Sequence, residues 1–408
     1  MLKKLLITAL AVLSFAGCGV QNAEITGTAA NVVENYQIQP KAETASAEII
    51  DEQNFLNSQQ TDLLQNFALC CAQTLRDTQP ADISQLFDDA EGRQRYINQA
   101  AYTTLAEIRS MQDKDMTLEY AEVTYKIVSV AENSSGITVE LTEDNIQKFR
   151  HLEEDSYTYN TYHVFELTEK DGEWKIKSHM QEEDFFLLAQ EAWNDSQGGN
   201  YAEKAKDTVQ LLKADSVENF ALSKQNLNEY KEIAVAKEYD REKAVEYAKE
   251  WCNKRNSNYL EYDLYGGNCQ NFASQCIHAG GMDMDIKGTY TCQWKFYGKD
   301  LNYSQSATGR SYSWIGVDEF YSYAEYNTNS GLALQHDIDF KYAEKGDIIQ
   351  VGAYGEWRHS LVVTDVLIGE NGDISEILLA SNTADRWNYP LSAYIYTYPR
   401  LIHVDGQL

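Results

Sequence analysis

Apolar residues recur at helical spacing early in the chain and then give way to alternating apolar and polar positions. The helical spacing covers residues 56–70 and residues 100–111, and it predicts two helices. The alternation that follows is typical of half-buried strands. It predicts four of them, at residues 118–130, 136–142, 157–167 and 173–179.

A tight turn is predicted between the last two of these strands. Asp171-Gly172 lies there, and such a pair supplies the positive φ that a two-residue hairpin requires. Helices followed by an antiparallel sheet indicate an α+β domain over residues 50–195. The order of its elements resembles the cone-shaped fold of nuclear-transport-factor-like domains. Its histidines, His151, His163 and His179, are scattered, which favours structural roles for them.

A second α+β domain is predicted after a helical connector at residues 196–238. The connector begins at a polar break, residues 197–200, and remains polar and helix-prone. The second domain is expected to span residues 239–402. Asp240 is placed to cap its first helix, whose apolar face includes Ala244 and Ala248.

The N-terminal residues have the pattern of a secretory signal. Lys3 and Lys4 precede an apolar run at residues 5–15, which is too short to span a bilayer. The small residues that follow end at Cys18 and resemble a bacterial lipobox, although Phe15 stands where Leu is usual. That resemblance implies a signal peptide at residues 1–18 and a lipid on Cys18. The alternative is an ordinary cleaved signal. Residues 19–49 are rich in polar and small residues with no sustained period, which predicts a flexible tether.

Composition limits the classes of partner. The chain has 408 residues with 34 Lys and Arg against 63 Asp and Glu, which gives a formal net charge of −29. A surface this acidic repels phosphate backbones and anionic lipid headgroups, so nucleic-acid binding is not expected. No Cys or His pairs at zinc spacing occur, and we expect neither a metal nor another cofactor.

The residues best suited to catalysis begin at a pair of glycines. Gly266-Gly267 predicts a turn, and the residues after it predict a helix that begins near Cys269. Unpaired backbone N–H groups at a helix N-terminus stabilise a thiolate and lower the thiol pKa. The same groups can hold the oxyanion of an acyl-transfer intermediate. Cys269 is therefore a candidate nucleophile.

A candidate base lies far downstream. A strand predicted at residues 346–351 is followed by a second apolar strand that His359 opens. Such an imidazole can meet the thiol only through the fold, as in papain-like enzymes. A third strand, at residues 377–380, leads to Asn382 and Asp385. Either side chain could orient the His359 ring, and the sequence leaves that choice open.

These residues resemble a known family. Residues 262–281 and several later elements follow the signature of the putative amidase domain family of Gram-positive bacteria, over about residues 238–400. The later elements are Trp294, Ser313-Trp314, Gly346-Asp347-Ile348-Ile349-Gln350, His359-Ser360, Asn382-Thr383 and Asp385. The resemblance implies a papain-like cysteine hydrolase related to cell-wall peptidases, with Cys269 as nucleophile and His359 as base.

Two positions depart from the pattern of the family. Asn268 stands where Asp usually precedes the cysteine, and Asn382 stands where His is often found. Asn382 is the predicted third catalytic residue, as Asn is in papain itself. Asn268, Gln270 and Asp385 are predicted to support the site or to contribute to its oxyanion hole.

The sequence thus predicts a cysteine amidase or peptidase, lipid-anchored at the extracellular face of the cell membrane. It would be secreted if the lipobox is not used. Cell-wall peptide is the expected substrate, by location and family analogy. The alternative is a surface-anchored binding lipoprotein whose amidase-like domain has lost its activity.

Overall fold

A mixed sheet of twelve strands runs through the part of the chain that the computed structural model describes, namely residues 44–223, 227–327, 329–395 and 398–408. These residues belong to one compact unit. The predicted signal peptide, the lipobox with Cys18 and the tether up to residue 43 lie outside the described residues. The strands are β1 (Thr44–Ile50), β2 (Leu118–Asn133), β3 (Gly136–Phe149), β4 (Ser156–Lys170), β5 (Glu173–Gln181), β6 (Lys237–Glu238), β7 (Leu332–His336), β8 (Ile348–Ala353), β9 (Glu356–Ile368), β10 (Ile374–Ser381), β11 (Asp385–Pro390) and β12 (Tyr398–Gln407).

Helices flank this sheet, so the predicted α+β class is confirmed. The nuclear-transport-factor-like and papain-like resemblances stay predictions. The helices of the described residues are α1 (Ser58–Asp77), α2 (Arg93–Ser110), α3 (Asp184–Asp195), α4 (Tyr201–Ser223), α5 (Arg241–Trp251), α6 (Cys269–Ala279), α7 (Tyr312–Ile315) and α8 (Val317–Tyr326).

Strand order shows how the two halves of the chain meet. The order is β1-β2-β3-β4-β11-β10-β9-β8-β12-β6, with β5 paired to β4 and β7 paired to β12. β1 is parallel to β2, and the other pairs are antiparallel. β4 pairs with β11, where Tyr159 lies opposite Asp385 and Tyr157 opposite Trp387. The sheet therefore continues from the first half of the chain into the second.

Local signals place most elements where the pattern predicts them. The side chain of Asn57 caps α1 and forms a capping box with Gln60. Between β4 and β5, Asp171 and Gly172 have φ of 56° and 84°, as a tight hairpin turn requires. Asp240 caps α5 by accepting a hydrogen bond from the backbone N–H of Lys243.

One segment differs from its prediction. Residues 44–49, which we assigned to the tether, form most of β1 and pair with β2. Ala45, Ala47 and Ile49 pack against the core on alternate positions. Two of these side chains are small, so the apolar periodicity of the segment is weak in the sequence. The strand forms because it pairs with the edge of β2.

Two hydrophobic cores lie on opposite faces of the second half of the sheet. Ile349 and Leu361 belong to the core that α1, α2 and α3 cover, whereas Ile348 and Val362 belong to the core beneath α5 and α6. This alternation follows from the period of two along a strand. β8 and β9 are therefore buried on both faces, which holds their residues rigidly against α6.

Two further observations concern the described residues as a whole. Among them, we find no helix with the length and apolar character needed to cross a membrane. Their six cysteines, including Cys269 and Cys276, carry no disulfide.

Candidate active site

The candidate nucleophile opens helix α6. Gly266 and Gly267 have φ of 104° and 117°, a region that L side chains rarely adopt, so the turn before the helix depends on glycine. Asn268 takes the cap position, and Cys269 is the first residue of α6. The predicted position of Cys269 at a helix N-terminus is confirmed.

Backbone donors surround the thiol of Cys269. The N–H groups of Ser360, Gln270 and Cys269 itself act on the sulfur and lower its pKa. The side chain is nevertheless only 5% exposed. Burial, assisted by the Asp184 carboxylate, outweighs these donors and raises the pKa of Cys269 to about 11. Burial in this structure therefore favours the neutral thiol, whereas the position at the helix N-terminus favours the thiolate.

The candidate base, His359, lies in β9 next to the residue that contacts Cys269. Ser360, whose N–H acts on the thiol, directly follows His359 in that strand. The packing of α6 on β9 thus brings Cys269 to the residue that follows His359. Burial, with a smaller contribution from the Arg386 cation, lowers the pKa of His359 to about 3, while Glu183 opposes that shift. The imidazole is neutral at pH 7.

The two departures from the family pattern contact each other. Asn268 donates a hydrogen bond from Nδ2 to Oδ1 of Asn382, at 2.7 Å. Nδ2 of Asn382 donates to the backbone carbonyls of Trp251 and Cys252, at 3.0 and 2.9 Å. A neutral pair of amides thus connects the residue before the nucleophile to the end of α5.

Asp385 is held by an ion pair. It accepts hydrogen bonds from Arg255 Nη1 at 3.1 Å and from Asn160 Nδ2 at 3.1 Å. Its other oxygen accepts the backbone N–H of Thr383, and the hydroxyl of Thr383 accepts the backbone N–H of Asn268. Asp385 and Asn382 therefore stabilise the turn before Cys269. That either side chain orients His359 stays a prediction.

Comparison with known proteins concerns the same region of the chain. Residues 238–404 match the family model described as "Putative amidase domain". The match lies in the C-terminal region of the chain. The chain is also similar to the uncharacterized protein YhbB of Bacillus subtilis (strain 168), with 29% identity over 220 residues. That match covers 52% of this chain and 63% of the relative, so the chain spans less than two thirds of the length of YhbB. No solved structure matches the chain.

Gln270 has a supporting position within the amidase domain. Its buried Oε1 accepts a hydrogen bond from the Ser360 hydroxyl at 2.7 Å, and its Nε2 donates to the Ser274 hydroxyl at 3.2 Å. Gln350 of β8 extends the network and accepts two hydrogen bonds from Arg400, at 2.9 and 2.6 Å. The network fixes the first turn of α6 against β8 and β9, which holds Cys269 in place.

Sequence reasoning missed a group of charges beside this site. Glu183 and Asp184 lie just before and at the start of α3, and both pair with the buried Arg386 of β11, at 2.5 and 3.2 Å. Asp184 acts on the thiol of Cys269, and Glu183 acts on His359. Only a run of three acidic residues, from Glu182 to Asp184, distinguishes this segment in the sequence. It lies outside every motif, so its place beside the amidase domain follows from the fold alone.

Proposed function

We propose that this protein is a cysteine hydrolase that cleaves an amide bond, with Cys269 as nucleophile and His359 as base. The observation that carries the proposal is the position of the thiol at the N-terminus of α6, in contact with the backbone N–H that follows His359. The match of residues 238–404 to the amidase family model supports the same reaction class.

Burial favours the neutral forms of Cys269 and His359, and the proposed first step starts from them. His359 takes the thiol proton as the sulfur of Cys269 attacks the amide carbonyl, so the charge separates only in the transition state. Backbone N–H groups at the start of α6 are the donors available to the oxyanion. The imidazolium then gives its proton to the leaving amine, and an acyl-thioester remains on Cys269. Water, deprotonated by His359, hydrolyses the thioester and restores the thiol.

We further propose an extracytoplasmic location and a wall substrate. The signal-like N-terminus and the lipobox ending at Cys18 support a lipid anchor on the outer face of the cell membrane. A protein held there lies beside the cell wall, so peptides of the wall are the proposed substrates.

Incubation of wall digests with the purified protein tests the reaction. Mass spectrometry should detect newly released amines with the wild type and none with Cys269→Ala or His359→Ala. Cys276→Ala is the matched control, because Cys276 is a buried thiol of the same helix and should leave cleavage unchanged. Cleavage that survives Cys269→Ala would contradict the proposal. So would binding without turnover by every variant that retains Cys269 and His359.

A second candidate function is non-catalytic binding of wall fragments at the same surface. The raised pKa of Cys269 and the neutral contact between Asn268 and Asn382 favour it, because both leave the site with less charge than an activated thiol needs. Binding measured by calorimetry separates the two candidates. A binding protein would bind wall fragments equally well as wild type and as Cys269→Ala and would cleave them in neither form.

A further inference from the structure

A row of polar side chains crosses three neighbouring strands and ends at the first turn of α6. Arg400 of β12 lies opposite Gln350 of β8, and Gln350 lies opposite Ser360 of β9. Residues opposite each other on neighbouring strands have their side chains on the same face of the sheet. The Ser360 hydroxyl then donates to Oε1 of Gln270, at 2.7 Å. We call these four buried residues the polar row, and it connects β12 to the helix that begins at Cys269.

Arg400 sets the direction of the hydrogen bonds in the polar row. Its Nε and Nη2 donate to Oε1 of Gln350, at 2.9 and 2.6 Å. A guanidinium has only donors, so it pairs with the amide oxygen and not with the amide nitrogen. Nε2 of Gln350 therefore faces away from Arg400, and it donates to the Ser360 hydroxyl at 3.2 Å and to the Val317 carbonyl at 2.8 Å. The donors thus point from β12 toward α6.

Two aromatic rings hold the guanidinium of Arg400. Its central carbon lies 3.5 Å from the ring centre of Tyr321 and 3.8 Å from that of Trp357, which is the geometry of a cation–π sandwich. The carboxylate of Asp318 lies 3.8 Å away and is largely exposed, so it is a weak partner. Burial lowers the pKa of Arg400 to about 10, which leaves it a cation at pH 7. A buried charge adds little net stability, so stability alone does not account for this arginine.

The polar row ends at the two residues that present backbone donors to the sulfur from beyond Cys269 itself. The backbone N–H groups of Gln270 and Ser360 both act on the thiol. Their side chains are joined to each other by the 2.7 Å hydrogen bond, and Gln350 donates to both, at 3.4 and 3.2 Å. Restraining these side chains restrains the backbone that carries the two N–H groups.

We propose that Arg400 is a positioning residue for Cys269, which acts through Gln350. It holds in place the two N–H groups, of Gln270 and Ser360, that face the sulfur. This inference rests on the proposed function, because alignment of those donors affects a rate only if the sulfur reacts. Loss of Arg400 should then slow the chemical step and leave substrate binding unchanged.

Hydrogen exchange of single backbone amides, followed by nuclear magnetic resonance, tests the positioning directly. Arg400→Met removes the donors and keeps an apolar stem, and it should speed exchange of the Gln270 and Ser360 amides about tenfold. Arg109→Met is the matched control. Arg109 of α2 is also a buried arginine that donates to a glutamine oxygen, that of Gln147 at 3.1 Å. Its loss should leave the two amides unchanged.

Gln350→Glu separates positioning from stability, because it interrupts the polar row and keeps a partner for Arg400. The new carboxylate accepts from the guanidinium but has no N–H to donate to Ser360. Exchange in this variant should match that in Arg400→Met, whereas Arg400→Lys keeps a charged donor and should recover part of the loss. Unfolding in urea checks that each variant is folded. Unchanged exchange at Ser360 and Gln270 in Arg400→Met, or equally faster exchange along the whole chain, would overturn the proposal.

Initial rates of wall-digest cleavage, measured over a range of digest concentrations, distinguish failure of this proposal from failure of the proposed function. Arg400→Met should lower kcat about tenfold with KM unchanged. Cleavage by the wild type, with an equal kcat in Arg400→Met, overturns the positioning role and leaves the proposed function standing. Faster exchange in Arg400→Met with no cleavage by the wild type overturns the proposed function and leaves Arg400 a structural residue.

Discussion

At Cys269, two effects act on one thiol in opposite directions. The backbone N–H groups of Gln270 and Ser360 favour the thiolate, and burial favours the neutral thiol. Burial has the larger effect, so both the thiol and the imidazole of His359 are neutral in the closed site. The backbone donors are nevertheless in place for any state in which the site opens and the burial penalty decreases.

The pH dependence of Cys269 alkylation follows from this balance. Burial raises the pKa of Cys269 to about 11. Below that pH, each increase of one pH unit raises the thiolate fraction about tenfold. We expect the iodoacetamide rate of the wild type to rise with that slope between about pH 6 and pH 9. Labelling followed by peptide mass spectrometry gives the profile. A rate that is constant above pH 6 would instead indicate a preformed pair of thiolate and imidazolium.

The contact between Asn268 and Asn382 gives a second prediction at the scale of residues. Asn268→Asp places a carboxylate against Oδ1 of Asn382, whose Nδ2 already donates to Trp251 and Cys252. We expect a loss of about 1–3 kcal/mol in the free energy of unfolding, measured in urea. Adding Asn382→His restores a donor to the carboxylate, so the double variant should recover part of that loss.

A double-mutant cycle makes this comparison quantitative. The two substitutions should show a favourable coupling energy of about 0.5–3 kcal/mol. Strictly additive effects would mean that the amide contact does not connect the two positions.

Among the helices and strands, those that depend on local sequence pattern could be predicted, and those that depend on long-range packing could not. The Gly266-Gly267 turn and the start of α6 follow from short-range rules, and so does the hairpin at Asp171-Gly172. β1 could not be predicted, because its apolar side chains are mostly small and its stability depends on pairing with β2. The pattern predicts each strand, but it does not predict which strand lies beside which.

The same distinction between local pattern and long-range packing applies to the residues of the candidate site. Cys269 and His359 carry motif signals, and the contact of Cys269 with Ser360, the residue after His359, follows from the packing of α6 on β9. The charges beside them come from Glu183 and Asp184 at the start of α3 and from Arg386 of β11, and acidic residues at a helix start are common in any sequence. Likewise, burial cannot be read from residue types, so the sequence predicted the backbone donors of Cys269 and missed the opposing desolvation.

Over the described residues as a whole, one sheet and the first of the two cores connect the two predicted domains. β4 pairs with β11, and the core beneath α1 includes Leu361 and Val363 of β9. Arg109 of α2, which is fully buried, donates to the Tyr389 hydroxyl of β11 at 2.7 Å and to Gln147 of β3 at 3.1 Å. Through these contacts, the first half of the chain stabilises the amidase domain.

The amidase domain is therefore expected to depend on the first half of the chain for its stability. A fragment that begins at residue 238 leaves β11 without β4 and exposes one face of β8 and β9, including Ile349 and Leu361. It should bind a hydrophobic dye and lack native near-ultraviolet circular dichroism, because its second core alone does not cover the sheet. The full chain should unfold in urea in one transition, with coincident fluorescence and far-ultraviolet signals. Two separate transitions, or a soluble fragment with native spectra, would show that the shared sheet joins two independently stable domains.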